Sequence, residues 1–136
     1  MKLDVGLYLS MVSHAIRERP WECVGILYGI PGKPICEMFE LTNVAAERAQ
    51  TYRVSPAEQL RVEQWIEQEA YVPLAIYHSH PTSDAVPSGF DHASAWNDIV
   101  TIIIGLRGFP GTVTMRAFRL HGRPNGEGQE IDLEVV

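Results

Sequence analysis

The chain is poor in the residues that would exclude an ordinary single domain. Only two cysteines, Cys23 and Cys36, occur among 136 residues. That is too few for a disulfide framework, and their spacing is unlike a CxxC metal or redox pair. Positive charge is scarce as well. Eleven Lys and Arg stand against 17 Asp and Glu, a net charge of -6, which argues against nucleic acid as a partner because a phosphate backbone needs a basic footprint. The longest apolar run lies around IVTIIIGL, residues 99–106, far short of a bilayer crossing. Asp4, His14 and Arg17 interrupt any signal-like stretch near the N-terminus. Internal repeats, low-complexity tracts and linkers are missing too. These absences leave a cytoplasmic, membrane-free protein as the expectation. Hydrophobic residues at 46% and charged residues at 21% give an ordinary globular balance, and the length suits one domain over 1–136 with a genuine core. A homodimer is as compatible with the sequence as a monomer.

Leu7, Met11, Ala15 and Ile16 recur at helical spacing, which predicts a first helix in LYLSMVSHAIRERP, stopped by Pro20. ECVGILYG reads as a short strand, IPGKP as a turn and ICEMFELTNV as a returning strand, so residues 22–43 form a hairpin-like unit. NVAAERAQTYRV leaves helix and extended chain both open. SPAEQLRVEQWIEQEA is the plainest element: Ser55 can cap, Pro56 occupies the first turn and Glu58 completes a capping-box pattern. Leu60, Trp65 and Ile66 supply its buried stripe. LAIYHSH predicts a strand over about 74–79, and a short helix begins near Ser88 and covers DHASAWND. The β-branched run IVTIIIGL marks a strand buried on both faces. RGFPG is a turn, TVTMRAFRL a further strand, HGRPNGEGQ a turn-rich surface segment and IDLEVV a last short strand. The order α-β-β-α-β-α-β-β-β describes one mixed α/β domain.

The chemistry concentrates in YHSHPTSDAVPSGFDHASAWND, residues 77–98. On a strand, His78 and His80 point to the same face and Ser79 to the other. Two imidazoles facing one point begin a Zn²⁺ site. Asp91 follows after a turn-rich loop that leaves the chain room to reverse, and two histidines with one carboxylate would leave a fourth position open, the catalytic arrangement. Taken alone, Ser88-x-x-Asp91 before a helix is better explained as a capping box. His92, beside Asp91, points about 100° away from it on a helix and would not share its metal. Asp84 reads as a solvated loop carboxylate and Asp98 as a surface residue. Hydrolysis also needs a proton acceptor, and Glu22, just before an apolar strand, is the best remote candidate, although spacing alone does not rank it above Glu18.

The run from His78 through Asp91 resembles the JAMM motif, H-x-H-x7-S-x2-D, of the MPN-domain metalloproteases, in all four polar positions and both spacings. E22-C-V-G-I-L-Y-G resembles the strand that carries that family's glutamate. N43-V, Y52-R-V-S-P and Y77-H-S-H-P are similar to the compact prokaryotic members. The resemblance implies an MPN (JAB-like) domain with a mixed, curved β-sheet flanked by helices. It implies one Zn²⁺ held by His78, His80 and Asp91, Glu22 as general base and then proton donor, and Ser88 as a hydrogen-bond donor to the developing oxyanion. No acyl-enzyme would form, so neither cysteine acts as a nucleophile, and Cys23 is read as a small buried residue on the opposite strand face. Such enzymes are isopeptidases or peptidases acting at the C-terminal tail of ubiquitin-like or sulfur-carrier proteins. The chain lacks the added loops of the polyubiquitin-specific members, and TNVAAERAQTYRV is the expected flank for an extended tail. The rivals are a non-catalytic binding module, which the full motif disfavours, and a small-molecule amide hydrolase. A zinc deaminase would need H-x-E and P-C-x-x-C, which are absent.

Overall fold

A computed structural model describes residues 1–96, 98–120 and 128–136. The elements run β1 (Lys2–Leu3), α1 (Val5–Glu18), β2 (Val24–Gly29), β3 (Glu37–Leu41), α2 (Pro56–Gln68), β4 (Val72–His80), α3 (Gly89–Ser94), β5 (Val100–Gly105), β6 (Thr114–Arg119), β7 (Gln129–Ile131) and β8 (Glu134–Val135). Six strands form a mixed sheet in the order β3-β2-β4-β5-β6-β7. Only its β4–β5 pair is parallel, and β1 pairs with β8 separately.

Every residue of β2 and β5 is buried, because both faces of the central strands are covered, one by α1 and the other by α2 together with the crossover after β4, where Ala85 packs on Ile103. On one face Leu7, Met11 and Ala15 of α1 pack with Cys23, Leu27, Tyr77, Ile102 and Ile104. On the other, Ile66 of α2 packs with Val24, Ile26, Tyr28 and Ile76. Period two along β4 therefore sends Ala75, Tyr77 and Ser79 toward α1, and Ile76, His78 and His80 toward α2 and α3. The Cys23 thiol is buried on the α1 face as expected, and burial pushes its pKa up to about 12. Tyr77 reaches α1, where its hydroxyl meets His14 Nδ1 at 2.8 Å. Its ring fills the space a Cβ on Gly25 would need, so β2 must have glycine there.

Several local expectations are corrected. α1 starts at Val5, because the Asp4 carboxylate accepts from the Gly6 and Leu7 N–H groups. Ser55 precedes α2 without a side-chain capping bond. Glu58 does not complete a box with it; its carboxylate takes the Thr42 N–H at 2.7 Å and the Thr42 hydroxyl at 3.2 Å, just past β3. A donor at the end of an edge strand outcompetes the helix terminus. Leu60 is 56% exposed and Trp65 40% exposed; Trp65 lies edge-on against Tyr28 and Phe39, leaving Ile66 as the fully buried residue of α2. Residues 43–54 form turns and irregular chain. The α3 helix stops at Ser94, short of Trp96, which packs with the α2-face cluster. IDLEVV contributes to two short strands, β7 and β8. Positions 121–127 of HGRPNGEGQ, and residue 97, lie outside the described residues. Among the described residues, no helix is long and apolar enough to cross a membrane.

One feature of this topology places the site. β4 and β5 are parallel neighbours, so the chain leaves the carboxyl end of β4 and must cross back to enter β5. The crossover carries α3, and its first turn arrives beside the strand end that bears His78 and His80. Carboxyl ends of parallel strands are where such sheets hold ligands.

Candidate metal centre

His78, His80 and Asp91 come together, as the resemblance implies. Their donor atoms all lie within 4.8 Å of one another. His78 Nε2 is 3.0 Å from Asp91 Oδ1, His80 Nε2 is 3.0 Å from Asp91 Oδ2, and the two Nε2 atoms are 3.3 Å apart. All three residues are buried, at 0%, 7% and 2% exposure respectively, far from the habit of solvated polar groups. Two imidazole nitrogens and a carboxylate are a ligand set that borderline dications accept. His80 is also oriented as ligating histidines are. Its Nδ1–H donates to the Asp84 carbonyl at 2.9 Å, which turns Nε2 toward the cluster. The residues therefore fit a divalent metal.

The charges reflect this crowding. Burial pushes His78 below the ordinary imidazole value, against the pull of Asp91. Burial acts the same way on His80, but its hydrogen bonds with Asp91 and the Asp84 carbonyl outweigh it, and its pKa rises. Burial works to raise Asp91, yet the two histidines and the Ser88 N–H hold it well below the usual carboxylate range. Tyr52 covers the His78 ring at 4.6 Å between centroids, and Phe90 meets Tyr52 edge-on at 5.7 Å.

Ser88 and Asp91 do form the capping box. The Ser88 Oγ accepts the Asp91 N–H at 3.0 Å, and Asp91 Oδ2 accepts the Ser88 N–H at 2.9 Å. Capping and the cluster are thus compatible, because the carboxylate reaches the helix start and the histidines together. Ser88 is exposed, and as a cap it uses only an oxygen lone pair, leaving its O–H proton to donate elsewhere. Asp84 pairs through its exposed side chain with Arg107 at 3.2 Å, as a solvated loop carboxylate would; its carbonyl contact to His80 has no signature in side-chain type. His92 and Asp98 lie outside the cluster.

Glu22 is 4% exposed, with no hydrogen-bond partner for its Oε1 among the described residues. Burial pushes its pKa up to about 8; His80 acts to lower it and Asp91 to raise it. Glu18 is only half-buried, so the two glutamates that spacing left level differ in burial. Metal-free protein should therefore lose stability as pH rises. The unfolded chain releases the Glu22 proton near pH 4.5 and the folded chain keeps it to about pH 8, so stability falls as pH rises across that window and levels off above it. Glu22→Gln removes the effect. The variant should equal wild type near the lower limit and exceed it by a few kcal/mol above pH 8, a ceiling set by about 1.4 kcal/mol per pKa unit. Urea unfolding of chelator-treated protein measures it, and a difference constant with pH would mean that folded Glu22 titrates like a solvated carboxylate.

Two recesses open beside residues 43–53, and none of His78, His80 or Asp91 lines either. One of about 490 Å³ is lined by Ala45, Tyr52, Val54, Phe90 and Trp96 among others. The other, about 250 Å³, is lined by Trp21, Glu22, Asn43 and Arg48 among others. Residues 43–53 contribute to both. Sequence reasoning named residues 42–54 as a flank for a tail but assigned Tyr52 and Asn43 no individual contacts, since an irregular segment has no periodicity to show which way its side chains point.

A mixed α/β sheet with a His-His-Asp triad at the carboxyl end of a parallel strand defines a JAB/MPN-fold domain with a JAMM-type metal-binding set. The family model for prokaryotic homologs of the JAB domain matches residues 4–121, and the chain belongs to that family. It is 41% identical over 91 residues to the CysO-cysteine peptidase of Mycobacterium tuberculosis, a match covering 65% of this chain and 61% of that protein. The chain thus spans about three fifths of the length of that relative. It is 34% identical over 131 residues to the probable TtuB-protein conjugate cleaving protease of Thermus thermophilus, covering 96% of this chain and 80% of that one. The solution structure of protein DSY2949 from Desulfitobacterium hafniense matches 99% of this chain and 93% of its own with a TM-score of 0.79 at 26% identity.

Proposed function

We propose that this domain is a zinc-dependent peptidase or isopeptidase acting at the C-terminal tail of a ubiquitin-like or sulfur-carrier protein. The observation that carries the reading is the convergence of the buried His78, His80 and Asp91, together with a buried Glu22 whose Oε1 has no partner among the described residues. His78, His80 and Asp91 would hold the Zn²⁺, which when bound supplies Lewis acidity toward a carbonyl oxygen and toward water.

The remaining steps belong to the chain's own groups. Glu22 takes the proton of the attacking water on its carboxylate, which lies buried with no partner for its Oε1 among the described residues. The same carboxyl then delivers that proton to the departing nitrogen, so the cycle ends with Glu22 ionised again. Ser88 donates its O–H to the carbonyl oxygen as that atom gains negative charge, while its Oγ lone pair still caps α3. Asp84 holds the His80 tautomer through its carbonyl. Neither cysteine takes part.

The substrate class rests on the relatives, whose names specify a CysO-cysteine peptidase and a cleaver of TtuB-protein conjugates. The recess beside Tyr52 and Phe90 suits it: an extended small-residue tail could lie there along residues 45–54. Zinc-loaded protein should cleave a carrier ending in Gly-Gly fused to a short tail, read as product masses, with the new end at the second glycine. Hydrolysis of unrelated peptides or small amides alone would overturn the carrier assignment. No hydrolysis at all by zinc-loaded, folded protein would favour a non-catalytic binding module.

A further inference from the structure

Glu22 lies on no regular element. It precedes β2, and its main chain is held from outside. Its N–H donates to the Arg48 carbonyl at 2.7 Å, and its carbonyl accepts from Asn43 Nδ2 at 3.0 Å. The next N–H, of Cys23, donates to the Ser79 hydroxyl at 2.8 Å. The Asn43 side chain does more than meet Glu22. Its Nδ2 also donates to the Thr51 carbonyl at 3.0 Å, with the Arg48 carbonyl at a longer 3.4 Å. Its Oδ1 accepts from Ala45 N–H at 3.0 Å and Arg53 N–H at 3.2 Å. Turning the amide over would set NH₂ against N–H groups and oxygen against carbonyls, so the partners fix its orientation. One side chain thus closes the 43–53 segment and ties it to the peptide of Glu22.

The carboxylate has no comparable support, since its Oε1 has no partner among the described residues. That contrast has a chemical reason. Hydrogen bonds donated to the oxygens of a carboxylate favour its ionised form and lower its basicity. A group that must take up a proton and give it back is better held by its backbone than by its oxygens. We infer that Asn43 is the positioning residue for Glu22, fixing the main chain of the proton carrier without a hydrogen bond to its carboxylate. The inference rests on the proposed role of Glu22. Misplacement of a reacting group by about 1 Å can cost on the order of a hundredfold in rate, so loosening this tie should be visible in turnover.

The test compares Asn43→Ala and Asn43→Ser with wild type, all zinc-loaded, on the Gly-Gly-tailed carrier. The serine hydroxyl can still accept the Ala45 N–H, as Ser and Asn do in local turns, but it has no second arm for the Glu22 carbonyl, so this variant guards against simple loss of the fold. Ile66→Val, a mild lesion in the α2 core, serves as a control for lowered stability. Both Asn43 variants should lose about ten- to a hundredfold in kcat at saturating carrier, whatever KM change follows from loosening residues 45–54, with zinc stoichiometry unchanged. Amide hydrogen exchange at Glu22 should accelerate relative to the amides of β2. Ile66→Val should keep its kcat.

For Asn43→Ser, kcat within about threefold of wild type, a loss confined to KM or accompanied by lost zinc, or an unchanged Glu22 exchange rate would each overturn the inference. So would an equal kcat loss in Ile66→Val at matched stability. Turnover by Glu22→Gln, run in parallel, separates the two claims. If that variant stays active, the role of Glu22 fails, and exchange at its amide still reports whether Asn43 holds it. If it is dead while Asn43→Ser is fully active, only the positioning claim fails.

Discussion

Glu22→Gln, loaded with zinc, is expected to lose about 10²–10⁴-fold in kcat, the range supplied by a positioned general acid-base group. Zinc content and KM should stay near wild type. The substitution is nearly isosteric, so it does not create a cavity in a residue that is 4% exposed. It breaks no hydrogen bond at Oε1, which has no partner among the described residues. It leaves both backbone ties of residue 22 intact, because those run through its N–H and carbonyl. What it removes is the ability to accept a proton. The folded variant should even be more stable than wild type above pH 8 when metal-free, so a loss of turnover cannot be assigned to unfolding. Retention of more than about a tenth of wild-type kcat would end the assignment of Glu22 as proton carrier. Single-turnover rates on the tailed carrier, with zinc measured on the same samples, decide it.

The sheet and the cluster were legible for one reason: both depend on short-period patterns. Period two put His78 and His80 on one face and Ser79 on the other, and the β-branched run at 99–106 announced a strand covered on both sides. β5 is indeed wholly buried, and the two rings do converge. Burial of Cys23 followed from the same alternation. The misreadings fall where two local choices compete on nearly equal terms. Glu58 had a helix terminus to serve and an edge-strand donor at Thr42, and tertiary packing selected the second. Leu60 lies at an apolar position of α2, but that helix buries mainly Ile66, and a solvent-facing leucine costs little. The 43–53 segment was opaque for a different reason. Its order comes from one amide side chain bonded to five backbone groups, and no periodicity records such a hub. For Asp91, capping and the cluster do not compete, since the capping bonds and the cluster share the same carboxylate.

That shared carboxylate makes Asp91 the position where removal should cost most. Asp91→Ala is expected to weaken zinc binding by well over the 10–100-fold typical of losing a partner that only orients a ligand, because Asp91 stands within 3.0 Å of both histidines. Stability should fall too, but Ser88→Ala separates the contributions. Ser88→Ala removes the acceptor for the Asp91 N–H and leaves the carboxylate in place. It should cost about 1 kcal/mol, the usual value of an N-cap, with zinc affinity near wild type. Asp91→Ala removes the other half of the same box and the negative charge facing His78 and His80 as well. Metal-free, it should lose a similar capping contribution, and the raised pKa of His80, sustained largely by Asp91, should return toward or below the ordinary imidazole value. Competition with a chromophoric zinc chelator measures the affinities, and urea unfolding with and without zinc measures the stabilities. For Asp91→Ala, the stabilisation conferred by added zinc should shrink in step with its affinity, since a ligand binding only the folded state stabilises it by mass action. If both variants bound zinc alike and differed only in capping stability, Asp91 would be a helix cap that happens to face two histidines. If Asp91→Ala lost zinc and Ser88→Ala kept it, the carboxylate would be both cap and ligand, and the start of α3 would be fixed by the residue that also completes the metal set.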